Sequence, residues 1–245
     1  MKGQFSPLRH ASTSQLLATR ICDLDLSIKH TNVVQLQNQL NAELAAKDLR
    51  FKPAIWISLS WFSPYGIPGF AIPFYLLHPR LCELEQKYIG EVEGGTDEWC
   101  MKLLRHETGH AIDNAFHLRK SKRRQALFGL SGSPYPERYK PHPDSTDFVH
   151  HLGNHYAQSH PDEDWAETFA VWLDPKSKWR TTYKNTAAST KLALVDELVS
   201  GIAGQRQLVR RVDQVEDIGS CRLQLVDYLR AKRQKYRVSS SWIKI

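Results

Sequence analysis

Two histidines four residues apart, with a glutamate directly after the first, constrain this chain more than any other feature: His106-Glu107-Thr108-Gly109-His110. On an α-helix both imidazoles leave the same face one turn apart, so both nitrogens can reach one divalent metal ion at roughly 2.0–2.1 Å. Glu107 is turned off that pair by one position, near enough to take a proton from a metal-activated water without ligating the metal. A fold built on this stretch needs a rigid helix in mid-chain. It also needs a later segment that returns to that helix with a third ligand. The bland alternative is a surface helix that carries two histidines by chance.

The neighbouring residues predict such a helix. Gly94-Gly95 breaks the preceding element, Thr96 is an N-cap, and Asp97 and Glu98 set acidic groups against the positive end of the helix dipole. Cys100, Leu103, Leu104, Ala111 and Ala115 recur at helical spacing as a core face, and Trp99, Leu103, His106, His110, Asp113 and His117 share a second stripe.

Zinc held by two histidines requires a third protein ligand and an open position for water. An elongated pattern with a histidine six residues beyond His110 fails, because Phe116 stands there and Asp113 replaces the expected glycine. The better source is the run from Ser159 to Ala170. There Ser159 or His160 can cap a helix, Pro161 suits its first turn, and Asp162, Glu163 and Asp164 follow at its positive end. Asp174-Pro175 ends it. Trp165, Phe169, Trp172 and Leu173 form its apolar face, and Glu163 and Glu167 share another stripe. Of these two, one can ligate zinc while the other orients a ligand, or both are simply exposed helix carboxylates. His150, His151 and His155 are rival third ligands, with His142 weaker.

The pair of helices resembles the gluzincin branch of zinc metallopeptidases, in which a glutamate on a later helix completes H-E-x-x-H. The second helix is similar to the E-x-x-A-E-x-F pattern of the anthrax lethal factor peptidase domain. It is closer still to bacterial zinc-binding metallopeptidases that carry H-P-x-E-D-W-A-E-T, which here reads His160-Pro161-Asp162-Glu163-Asp164-Trp165-Ala166-Glu167-Thr168. The resemblance implies that Glu163 is the third ligand, Glu167 its orienting neighbour, and Tyr156, seven residues before Glu163, a hydrogen-bond donor to the developing oxyanion. It covers roughly residues 50 to 200. Many of those relatives carry an N-terminal zinc ribbon of paired C-x-x-C motifs. Cys22, Cys82, Cys100 and Cys221 have no such spacing, so no structural zinc site is expected.

With 245 residues the chain can bury a sizeable core. No stretch approaches a membrane span, and Met1 through Thr19 lacks an apolar signal region. With four scattered cysteines, this favours a cytoplasmic setting. The formal charge of +7 concentrates in His117–Arg124 and Arg230–Arg237. Such runs can bind nucleic acid, though more often they are solvated helix ends.

The expected fold is α+β and zincin-like: a small sheet on the active-site helix and a mainly helical C-terminal lobe, with the cleft between. Residues 1–20 are expected to be a flexible leader and 21–245 one domain, divided into lobes 21–117 and 118–245. A helix is predicted within Asp23–Leu49, with strands at Ala54–Trp61 and Phe70–Leu77. The resemblance to zincins implies that a strand beside the cleft pairs with extended substrate backbone, without saying which. Gly129–Pro143 reads as loop, Phe148–Gln158 as a helix, and further helices are predicted from Ala187, at Gln205–Val212 and at Leu223–Leu229. The chemistry expected is peptide-bond hydrolysis on a peptide or protein substrate. Zinc is held by His106, His110 and Glu163, Glu107 acts as base, Tyr156 serves the oxyanion, and Asp113 either bonds a ligand histidine or sits at the surface. A silent zinc-stabilised interaction protein and a nucleic-acid-associated peptidase are the alternatives.

Overall fold

In a computed structural model, residues 7–240 are described, with side chains from 8 to 236. Helices dominate, and a single small sheet gives the α+β character expected. Its two parallel strands, β1 (Ala54–Ser58) and β2 (Gly69–Pro73), pair from Ala54 opposite Gly69 to Ser58 opposite Pro73. The pairing requires glycine at 69, because a Cβ there would collide with the carbonyl oxygen of Ala54. Both strands are shorter than the apolar runs predicted. After β2 the chain tightens into a 3₁₀ helix at Phe74–Leu77.

Helices α1 (Pro7–His10), α2 (Thr13–Ala18), α3 (Asn32–Ala45) and α4 (Pro79–Ile89) precede the histidine-bearing α5 (Asp97–Phe116). Helices α6 (Lys122–Phe128), α7 (Pro161–Leu173), α8 (Trp179–Thr182), α9 (Ala187–Ser200) and α10 (Leu225–Ser240) follow it. The local signals behave as expected. The Thr96 side chain accepts from Trp99 N–H to start α5, and His160 with Pro161 starts α7. Helix α4 was not foreseen, yet its start at His78-Pro79 uses the same device, the ring of His78 accepting from Arg80 N–H.

Around α5 pack β2, α3 and α7, and α9 packs on α7. Leu40, Phe70, Leu104, Ile112, Trp165, Phe169 and Leu192 are all fully buried in this core. Each such side chain stabilises the fold by about 1.5–3 kcal/mol. A second core joins the two ends of the chain: Leu8, Leu16 and Ile21 lie with Phe74, Tyr75, Leu81, Leu225 and Leu229.

That second core corrects two expectations. The leader over residues 1–20 is structured from residue 7 onward, because Leu8 and Leu16 are buried and Arg80 donates to the carbonyls of Leu8 and Ala11 (2.7 Å each). Residues 1–6 lie outside the described residues. The division at residue 117 does not separate the helices either, since α10 packs on α2 and α4.

Two predicted helices are absent. Over Phe148–Gln158 only Tyr156–Gln158 is helical, as a 3₁₀ turn. Asn154 and His155 are left-handed, and the N–H groups of His150 and Leu152 donate to Tyr183 and Glu167 instead of to a helix ladder. Gln205–Val212 is irregular because the N–H groups of Leu208 and Val209 both go to the Ala115 carbonyl, an orphan acceptor in the last turn of α5.

Candidate metal centre

Helices α5 and α7 cross at the centre of the site, and the contact between them is close. A Cβ on Gly109 would lie 2.9 Å from Ala166 Cα. The buried indole of Trp165 donates to the Gly109 carbonyl at 2.9 Å. One residue before the first histidine, Arg105 clamps Glu43 of α3 through two 2.8 Å bonds and reaches Asp174 at the end of α7 (3.3 Å).

This packing brings His106, His110 and Glu163 together. His106 Nε2 and His110 Nε2 are 3.2 Å apart, and Glu163 Oε2 lies 3.1 Å from the first and 3.2 Å from the second. Ligand atoms about 3.3 Å apart are what tetrahedral coordination at zinc bond lengths requires. Three lone-pair atoms in so small a triangle suit one cation at a shared point better than pairwise hydrogen bonds. The residues therefore fit the metal. Among the described residues it is the group of three His, Cys, Asp or Glu donors close enough for that purpose.

The surroundings fix the direction of those lone pairs. His106 Nδ1 lies 2.9 Å from Glu167 Oε1, so with the proton on Nδ1 the Nε2 lone pair faces the triangle. Glu167 Oε2 accepts from Leu152 N–H (2.9 Å). Tyr135 donates to Glu163 Oε1 (2.8 Å) and stacks on the capping ring of His160 at 3.7 Å. Burial alone would lower the His106 pKa, but its bonds to Glu163 and Glu167 outweigh burial and push it well above the ordinary value. Burial likewise opposes ionisation of Glu163, yet the two imidazoles hold its carboxyl well below the usual range. The triangle thus favours positive charge, and a metal would displace protons on binding.

Glu107 is 5% exposed, and its Oε2 is buried without a hydrogen-bond partner among the described residues. Burial raises its pKa. The Tyr156 ring centroid lies 5.8 Å from that of His106, and burial raises the phenol's pKa, which keeps it protonated. Glu107, His106, Tyr156 and Trp61 border two cavities, of about 380 and about 670 Å³. The cleft edge is the segment Ser60–Ser63, which lines one or both cavities, and neither β1 nor β2 does. Asn114 holds the loop beyond that edge, bonding Pro64 and Ile67 carbonyls and Gly66 N–H.

Asp113 requires correction. It is buried, yet it bonds neither His106 nor His110. Its carboxylate pairs with Arg119 and Arg124, and Arg124 continues to Asp162 of α7. The rival histidines also stay outside the triangle. His151 lies 3.0 Å from the Lys102 carbonyl, the rings of His150 and His155 pack edge to face, and His142 bonds Gln158 through its N–H. His117 is the left-handed residue that ends α5.

Tyr135, Arg105 and Asn114 escaped the sequence reading. Tyr135 sits in a Gly/Ser/Pro-rich loop with no periodicity, and the other two act through partners far away in the chain.

The model of a family described as putative zinc-binding metallo-peptidase matches residues 101–232, more than half of the chain, from within α5 to within α10. The chain belongs to this family. The matched region contains the whole donor triangle, so the zinc-binding description and the geometry concern the same residues. No curated protein and no solved structure matches the chain. No helix among the described residues is long and apolar enough to cross a membrane.

Proposed function

We propose that the chain is a zinc-dependent peptidase of the gluzincin type, with a zincin-like arrangement of helix and sheet, in which His106, His110 and Glu163 hold the metal. Zinc, when bound, supplies a Lewis acid that polarises the scissile carbonyl and lowers the pKa of a water to about 7. Glu107 takes the proton of the attacking water and returns it to the leaving amine. The Tyr156 phenol, protonated and on the cleft wall, donates to the carbonyl oxygen as it gains charge. Glu167 keeps His106 protonated at Nδ1, and Tyr135 occupies Glu163 Oε1, which leaves Oε2 for the metal.

The observation that carries this reading is Glu107. A carboxylate buried at the wall of the cleft with one oxygen unpartnered is costly. It serves a proton transfer, whereas a purely structural zinc site has no use for it. That favours an enzyme over a silent zinc-stabilised protein. A nucleic-acid-associated role draws less support, because Arg119, Arg123 and Arg124 of the first basic run pair with Asp113, Glu197 and Asp162, and Lys232 of the second pairs with Glu85.

The test compares wild type with Glu107→Gln on a peptide substrate found by a cleavage screen. Glu107→Gln keeps the shape and removes the base, so zinc content and fold survive while turnover is lost. Tyr156→Phe keeps the metal and loses about 10²–10³ in rate, the usual worth of one oxyanion donor. Cleavage undiminished in Glu107→Gln would sink the mechanism.

A further inference from the structure

The two cavities that meet at Glu107 differ in charge. The smaller is lined by both signs, with Arg119 beside Asp162 and the donor triangle. The larger runs along the first half of α5, past Trp99 and Leu103, and away from the triangle and Glu107 its charged lining residues among those described are Glu91 and Glu93. Among the described residues no lysine or arginine lines it. Five aromatic side chains, Trp61, Trp99, Tyr139, Tyr156 and Tyr236, complete its wall, and Lys232 already lies 5.8 Å from the Tyr236 ring.

Glu93 is the informative residue. It is half-buried, and its carboxylate makes no hydrogen bond or ion pair among the described residues, the bond from Tyr75 going to its main-chain carbonyl. Burial raises its pKa, with Lys232 opposing at longer range. A carboxylate half-withdrawn from water and without a contact partner is open to a charge-assisted pair with a ligand's cation. Aromatic faces around it add attraction for the same charge. A second observation ties this wall to the reacting centre. Glu107, nine-tenths buried and with an unpartnered oxygen, lines the same cavity.

We infer that this arm of the cleft is a side-chain subsite for a lysine or arginine of the substrate, with Glu93 and Glu91 as its anionic wall and Trp61, Trp99 and Tyr139 as its sides. The inference rests on the peptidase reading, although the subsite binds a cation whether or not a bond is cut. A cation of arginine length enters past Trp61, reaches Glu93, and leaves the adjacent peptide group over Glu107 and the donor triangle. The proposed enzyme then cleaves next to basic residues.

The experiment uses the zinc-loaded full chain carrying Glu107→Gln, so that binding is read without turnover. Its probe is a positional library of blocked hexapeptides with arginine, citrulline or glutamate fixed at each position in turn. Citrulline keeps the length and hydrogen bonding of arginine without its charge. Arginine at one position should bind about tenfold tighter than citrulline there. Adding Glu91→Gln and Glu93→Gln should erase the difference, with zinc content and melting temperature showing that this variant is folded. Equal affinities for arginine and citrulline at every position, or an arginine preference that survives the two substitutions, would overturn the subsite. Cleavage of the arginine mixtures by wild type is scored separately. Preferred binding with no cleavage keeps the subsite and removes the peptidase reading.

Discussion

Glu163 and Glu167 lie on one face of α7, one turn apart, and their surroundings divide the work between them. Glu163 turns one oxygen to both Nε2 atoms and the other to Tyr135, whereas Glu167 meets His106 from behind at Nδ1. Removing Glu163 deletes one of three donors. Removing Glu167 deletes only a support, typically worth about 10–100-fold in affinity. Zinc titration of the two alanine variants should therefore show Glu163→Ala losing metal far more readily. The reverse order would exchange the two roles. Much at this scale is legible in the sequence, because the i,i+4 spacing puts His106 with His110 and Glu163 with Glu167 wherever the helices lie. Asp113 shows the limit. Its spacing put it on the histidine stripe, but Arg119 and Arg124, six and eleven residues on, claim its carboxylate, and no local pattern announces that pairing.

Among the elements, the α5–α7 contact sets the site's dimensions, and Gly109 makes it close. Alanine there gains about 1 kcal/mol in helix propensity but costs about 1–3 kcal/mol in overpacking. The atoms in the way include Ala166 backbone, which yields poorly. Gly109→Ala should push Glu163 away from the histidines and weaken zinc binding in a titration, and unchanged affinity would show that the spacing is not critical. A second tie joins α7 to α9, where Lys191 pairs with Asp164 at 2.6 Å. Burial raises the Asp164 pKa to about 7 in spite of Lys191. A carboxyl whose folded pKa exceeds its unfolded value stabilises the fold while protonated, so this contribution is full below about pH 4 and lost as pH rises through about 7. Lys191→Met leaves the charge of Asp164 uncompensated, a loss of about 3–5 kcal/mol at pH 8 when a buried pair is broken. At pH 5 Asp164 is mostly protonated and the loss should be smaller. Urea unfolding with chelator present at both pH values measures it, and equal losses would contradict the assignment. Helices with clear caps, such as α5 and α7, were legible from residue types alone. The Phe148–Gln158 segment was not, because its N–H groups serve Glu167 and Tyr183 rather than a helix of its own.

On the scale of the whole molecule, one core surrounds α5 and a second binds the two ends of the chain together behind α4. Composition could not reveal the second, because Leu8 and Leu16 sit in a polar stretch and find their partners more than 200 residues away at Leu225 and Leu229. Zinc should stabilise this assembly as a ligand of the folded state, by about 2.7 kcal/mol at a free concentration one hundred times its Kd. All of this depends on the three donors. The most direct measurement is elemental analysis of the purified protein beside its His106→Ala and Glu163→Ala variants. The prediction is about one zinc per chain in the wild type and loss of most of it in both variants, since each deletes one of the three proposed ligands. Full zinc occupancy in both variants would contradict the metal centre described here.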